Sequence, residues 1–221
     1  MRIYLDSKAI AGAHDGLLVD LDGTVYRGST AITGAADVLE KVGRRAVFLT
    51  NNASRSRDEV AAHMRTMGLT IDRDNVVTSA RTAARLLGAE LPCGSPILVI
   101  GTEAPAAETA DVGLVPVRCQ ADSPAAVVQG HSSNTDWRIL AEGALAIRDG
   151  AMWVACNVDA TFPTERGLVP GNGACGRKAP RPIWCTTGSA GGASIPRRWS
   201  AIGWRRTSQV RRLPGFPACL C

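Results

Sequence analysis

The chain has 221 residues, 45% of them hydrophobic and 20% charged, with a formal net charge of +5, a mix suited to one large globular domain or two modest ones that bury a core. Wholesale disorder, collagen and coiled coil are excluded. The longest apolar runs, such as Ile97 to Ile100, fall far short of the roughly 18 residues that a membrane span needs, and Arg2, Asp6 and Lys8 stand where a signal peptide requires an apolar stretch, so a cytoplasmic location is expected.

The apolar pattern predicts alternating strands and helices. Leu17 to Asp20 is a continuous apolar run ending in acid, and Ala46 to Thr50 is a second run ending in a polar cluster. Between them Ala36, Leu39 and Val42 repeat at helical spacing, giving a βαβ unit. A helix follows with Ser54 or Ser56 as N-cap, Asp58 and Glu59 in its first turn, Val60, Met64 and Met67 on one face, and Gly68 past its end. A further helix, Ser79 to Leu91, is punctuated by Pro92 and Gly94 and leads into a second α/β unit. There the expected strands are Ile97 to Ile100, Leu114 to Val117, Ala126 to Gln129 and Met152 to Asn157. The expected helices run from a Thr102 cap to Val112 and from Asp136 to Arg148.

The charge is unevenly spread. Residues 1–175 hold 16 Lys and Arg against 20 Asp and Glu, a balance of −4, whereas residues 176–221 hold 9 against none. That tail also carries three of the five tryptophans and sustains neither apolar period. The expected limits are therefore 1–80 and 81–175 for two α/β domains and 176–221 for an irregular basic tail. The seven cysteines form no Cys-x-x-Cys pair and have no histidine at zinc-site spacing, so they read as buried or incidental thiols. His14, His63 and His131 lack triad or metal spacing and read as structural or surface residues.

The strongest chemical signal is Leu17-Leu18-Val19-Asp20-Leu21-Asp22-Gly23-Thr24, a buried-strand pattern that delivers two carboxylates to its C-terminal edge. In parallel α/β sheets that edge is where ligands bind. Two acids one residue apart suit displacement at phosphorus: one carboxylate attacks, and the other protonates the leaving oxygen and then deprotonates water. A calcium loop of the EF-hand kind fails, because Val25 and Ala31 occupy the positions that need Gly and Glu. A solvated Asp-Gly turn and a magnesium site without chemistry stay open at this point. The end of the second run, Thr50-Asn51-Asn52, brings a hydroxyl and backbone amides close to a helix N-terminus, donors suited to phosphate oxygens. Strands joined by one crossover tend to be neighbours, which favours a phosphate site over the turn.

Asp20-Leu21-Asp22-Gly23-Thr24-Val25-Tyr26-Arg27-Gly28 and Thr50-Asn51-Asn52-Ala53-Ser54-Arg55-Ser56 together resemble the haloacid dehalogenase (HAD) superfamily, specifically its NagD-like capped phosphatases. The resemblance continues in Val99-Ile100-Gly101-Thr102-Glu103, in Val127-Val128-Gln129-Gly130 and from Asn157 to Ala174, and within the family it leans toward bacterial glycerol-3-phosphate phosphatases. It implies an α/β fold with a HAD-like Rossmannoid core, incomplete here, and a large inserted α/β cap. It also implies Asp20 as nucleophile, Asp22 as acid and base, Thr50 and the amide of Asn51 on the phosphoryl oxygens, and Mg²⁺ on Asp20 and the backbone carbonyl of Asp22. Asn157 and Asp159, in the cap, would help define the substrate, although a structural Asx turn after a strand accounts for them equally well. The implied partner is a small phosphorylated metabolite such as glycerol 3-phosphate, with no membrane and no nucleic acid; assembly into a homo-oligomer is left open.

The tail departs from the family pattern. A Gly-Lys-Pro lysine and a Gly-Asp-Arg-x-x-x-Asp-Ile metal segment are expected there, and Lys178 in Gly176-Arg177-Lys178-Ala179-Pro180 is a weak match to the first. Reading Ser200 to Ser208 from each codon's third base permits Gly-Asp-Arg-Leu-Ala-Ala-Asp-Ile, so an out-of-frame deletion near Gly176 is the expected origin of the tail. Loss of the strands beyond Gly176 is expected to leave the Leu17 to Asp20 strand as an open sheet edge and to impair catalysis. The competing reading is a non-catalytic remnant, or a basic tail with Trp184, Trp199 and Trp204 that binds nucleic acid.

Overall fold

The structure is a computed structural model that describes residues 14–164, 167–176, 183–184 and 199–202. These fall into two compact units, one of residues 14–50, 60–76 and 199–202, the other of 51–59, 77–164, 167–176 and 183–184.

The first unit is built on β1 (Gly16–Asp20) and β4 (Ala46–Thr50), which pair in parallel with Leu17 opposite Ala46 and Asp20 opposite Leu49. The crossover between them contains a small antiparallel hairpin, β2 (Tyr26–Arg27) with β3 (Thr30–Ala31), and helix α1 (Ala35–Val42), which buries Leu39 and Val42. Side chains alternate along β4, so Ala46, Phe48 and Thr50 are buried while Val47 and Leu49 are less so. Leu17, Val19, Leu21, Phe48 and Met64 belong to one apolar cluster. The strand order is β13, β1, β4, β5, where β5 is Val76–Thr78 and β13 is Trp199–Ile202.

That order corrects one expectation. The backbone of Trp199–Ile202 runs parallel to β1, with Gly16 opposite Trp199 and Val19 opposite Ile202, so β1 has a neighbour on each side and is not an open edge. A sheet edge is recognised through main-chain N–H and C=O groups, which a segment without apolar periodicity still supplies.

The second unit is a five-stranded parallel sheet in the order β12 (Ile183–Trp184), β9 (Met152–Ala155), β8 (Ala126–Gln129), β6 (Pro96–Ile100) and β7 (Val115–Val117). Its helices are α3 (Ser79–Glu90), α4 (Glu103–Asp111) and α5 (Trp137–Arg148), α2 being Arg57–Thr66. Apolar residues cover both faces of this sheet. Ile97, Val128 and Val154 cluster with Ala80, Ala83 and Leu87 of α3 on one face. Leu98, Ile100, Val127 and Trp153 cluster with Ala146 of α5 on the other. Burial on both faces is why these strands read as uninterrupted apolar runs.

The helix spans match the periodicity closely, and the caps explain where two of them start. Ser56 and Glu59 form a reciprocal capping box at α2, with Ser56 N–H donating to Glu59 Oε2 at 2.6 Å and Glu59 N–H donating to Ser56 Oγ at 3.1 Å. Asp136 Oδ1 accepts from Ile139 N–H at the start of α5. Thr102 is the exception: it sits at the N-cap position of α4 without capping it, and its hydroxyl donates to Ser54 O at 3.0 Å. β9 ends at Ala155, so Asn157 lies in the following loop and not in the strand. The short β5, the β2/β3 hairpin and a second hairpin, β10 (Thr161–Thr164) with β11 (Gly167–Pro170), were not legible in the apolar pattern. Two-residue to four-residue strands give too few positions for a period to show.

Candidate active-site residues

In the first unit, β1 ends in Asp20 and the chain then turns sharply around the carbonyl of Leu21. The N–H groups of Thr24, Val25 and Tyr26 all donate to that oxygen, at 3.2, 2.9 and 3.3 Å. Gly23 takes φ of +82° within the turn, a conformation that side-chain-bearing residues rarely adopt. Leu21 is fully buried, and Val25 nearly so, which anchors the turn in the core while Asp22 stands exposed and Asp20 half-buried. Parallel register sets Asp20 opposite Leu49, one residue before Thr50, so both chemical groups stand at the C-terminal ends of adjacent strands. The hydroxyl-bearing Thr50 is itself buried.

Burial pushes the Asp20 carboxyl up from 3.8 to about 6, partly offset by the Leu21 backbone hydrogen bond, while the neighbouring Asp22 charge adds to the rise. A carboxylate held uncomfortably ionised beside a second one is a hard-oxygen donor pair suited to a divalent cation. Among the described residues no group of three or more His, Cys, Asp or Glu gathers. Magnesium is often held by only one or two carboxylates with water completing its shell, so Asp20 and Asp22 fit it as a minimal set.

In the second unit, Asn51, Asn157 and Asp159 form one hydrogen-bonded group. Asn51 Nδ2 donates to Asp159 Oδ2 at 3.3 Å, and Asn51 O accepts from Ser79 Oγ at 3.0 Å and from Asn157 Nδ2 at 3.4 Å. Asn157 Oδ1 accepts from Asp159 N–H at 2.6 Å, the Asx turn that the sequence left as an equal reading. The turn shapes the loop, and the loop meets Asn51.

Behind this loop lies a polar network that sequence reasoning missed. Buried Asn172 donates through Nδ2 to Asn157 O at 2.7 Å and to Gln129 O at 3.0 Å. Gln129, also buried, donates through Nε2 to Asn172 O at 3.0 Å and accepts from Trp153 Nε1 at 3.1 Å. Gly171 and Gly173 flank Asn172 closely enough that a Cβ on either would strike Asp159 O or Val158 O. Gly171 N–H donates to Ala160 O and Gly173 N–H to Asp159 O. The Gly-Asn-Gly triplet was visible in the sequence as part of the family likeness, but its partners are too distant along the chain to be inferred. Lys178 lies outside the described residues.

Comparison with known proteins fits this geometry. Residues 17–115 match the haloacid dehalogenase-like hydrolase family. D-Glycerol 3-phosphate phosphatase of Mycobacterium tuberculosis is 58% identical over 166 residues, covering 75% of this chain and 47% of that protein. An acid sugar phosphatase of Staphylococcus saprophyticus is 35% identical over 160 residues, 71% of this chain and 61% of the relative. Among solved structures, a glycerol phosphate phosphatase from M. tuberculosis in complex with magnesium superposes with a TM-score of 0.73 at 58% identity, over 75% of this chain and 50% of that one. A p-nitrophenyl phosphatase from Archaeoglobus fulgidus gives 0.67 at 27% identity, over 73% of this chain and 62% of that one. The chain thus spans about half the length of the mycobacterial relatives. With paired acids and a threonine at adjacent strand ends, and likeness of this extent, the described part of the chain has the α/β fold of the haloacid dehalogenase-like hydrolases and is similar to them in sequence.

Proposed function

We propose that the chain is a Mg²⁺-dependent phosphomonoester hydrolase of small phosphorylated metabolites such as glycerol 3-phosphate, with turnover impaired by the lack of the family's lysine and second metal segment within these 221 residues. The observation that carries the reading is the register of β1 on β4, in which Asp20 stands opposite Leu49 and next to the end that bears Thr50. Asp20 attacks phosphorus and forms an aspartyl phosphate. Asp22 protonates the leaving alkoxide and then takes a proton from the water that cleaves the acyl phosphate, returning Asp20 to its starting state. The Thr50 hydroxyl and the backbone N–H of Asn51 donate to the phosphoryl oxygens. Asn157 and Asp159 select among alcohol portions of the ester. Asp20 and the carbonyl of Asp22 would hold Mg²⁺, which would supply charge neutralisation for the incoming phosphate. The domain limits 1–80, 81–175 and 176–221 and a cytoplasmic setting belong to the same proposal.

Loss of one preorganised electrostatic partner typically costs about 10²- to 10³-fold in rate, so the absence of two leaves little. The test is phosphate release from glycerol 3-phosphate and p-nitrophenyl phosphate with and without Mg²⁺, for the chain and its Asp20→Asn variant. Slow, metal-dependent release abolished by D20N supports the reading. Release untouched by D20N sinks it, and robust turnover sinks the impairment.

A further inference from the structure

The segment that follows Thr50 is fastened to the second unit by more than its asparagine. Arg57, buried at 6% exposure, donates through Nε to Glu108 Oε1 at 2.7 Å and through Nη2 to Asp111 Oδ2 at 2.9 Å. Arg81 reaches the other oxygen of Glu108 at 3.2 Å, and Glu108 is itself buried at 3% exposure. Two arginines thus enclose one buried carboxylate, and the guanidinium of Arg57 spans two acids on α4, a geometry that its planar fork permits and an ammonium does not. The remaining fastenings lie between Arg57 and Asn51. Ser54 O accepts the Thr102 hydroxyl and Ala53 is buried in the unit's apolar cluster, while within the strap itself Asn52 Oδ1 accepts from Ser54 N–H at 2.9 Å. Asn51 itself has its carbonyl and side chain engaged by Ser79, Asn157 and Asp159.

A buried ion cluster is weak evidence for stability, since apolar packing does as well, but removing one member leaves an uncompensated charge and frees whatever it held. We propose that Arg57 is a positioning residue for Asn51: through Glu108 and Asp111 it fixes the strap of residues 51–57, and so fixes the backbone N–H that Asn51 presents to a phosphoryl group. The inference rests on the phosphate role given to Asn51 above. Arg57 touches no reacting atom; it works by denying the strap alternative conformations. Fixing a donor in advance is what makes it effective against a developing or bound anion.

The test uses the full chain and trypsin, with cleavage resolved by mass spectrometry. Arg55, exposed within the strap, supplies the reporting bond, and Arg73, exposed in the first unit, supplies the control. R57Q is expected to speed cleavage after Arg55 about tenfold or more while leaving cleavage after Arg73 unchanged. D111N, which removes one arm at a half-exposed carboxylate without burying a lone charge, is expected to give a smaller rise confined to the same bond, and it carries the test if R57Q does not fold. Unchanged cleavage after Arg55, or equal acceleration at both bonds, overturns the proposal. Inorganic phosphate with Mg²⁺ is then added: it should protect the Arg55 bond in the wild-type chain, at a half-protecting concentration about fivefold higher in R57Q and partly restored in R57K. Absence of protection in the wild type overturns the phosphate role of Asn51, and the positioning role with it, whereas the cleavage pattern without phosphate separately reports whether the strap is held.

Discussion

Asp20 carries the clearest physical consequence of its surroundings. Its carboxyl titrates at about 6 in the folded chain against 3.8 ordinarily, so the folded state binds this proton more tightly than the unfolded one. The stabilising share of that proton is fully present below the ordinary value and is lost as pH rises through the folded one, so stability falls across the window from 3.8 to about 6. In metal-free buffer, Asp20→Asn is expected to melt above the wild type at about pH 7 and to match it at about pH 4, which calorimetry at the two values checks. Leu21 is the structural counterpart: fully buried beneath the turn that presents both acids, it is expected to cost about 2 to 5 kcal/mol when changed to Ala, read by denaturant unfolding. Asp20, Asp22 and Thr50 were legible in the sequence because a strand end and a chemical group are both local features. Arg57, Gln129 and Asn172 were not, because their partners lie 43 to 54 residues away for the contacts that matter most, to Glu108, Asp111 and one another.

At the scale of elements, apolar spacing and end signals located every helix of eight or more residues among the described residues, although α4 buries Glu108 and Thr109 beside its alanines. They overran at β9 and misjudged Thr102, for a shared reason. A residue next to an element end can serve either that element or a distant segment, and tertiary contacts decide which. The loop after β9 is closely confined, with Gly171 and Gly173 pressed on its main chain. Gly173→Ala is expected to cost about 1 to 3 kcal/mol through forced backbone shifts and to disturb residues 157–160 before the sheet beneath, visible as amide exchange rising in the loop first.

For the whole molecule, composition marked a change at Gly176 more plainly than any structural element does, with every acid before it and nine basic residues from Arg177 on. Main-chain pairing still gives two tail segments places, beside β9 and beside β1. A chain ended after residue 198 loses the cover on β1 and is expected to self-associate more strongly, which sedimentation of the two forms at equal concentration tests. Among the described residues no helix is long and apolar enough to cross a membrane. The fold class was legible because the sheet of the second unit is parallel and buries its strands on two faces, which writes uninterrupted apolar runs into the sequence. The chemistry of the loops was only partly so. The clasp made by Trp153, Gln129, Asn172 and Asn157 contains indole and amide groups alone. None of these gains or loses a proton in ordinary buffers, and dissolved ions barely weaken uncharged contacts sealed from solvent. The backbone path that Asn172 holds at Asn157 and Gln129 is therefore expected to change little with acidity or ionic strength.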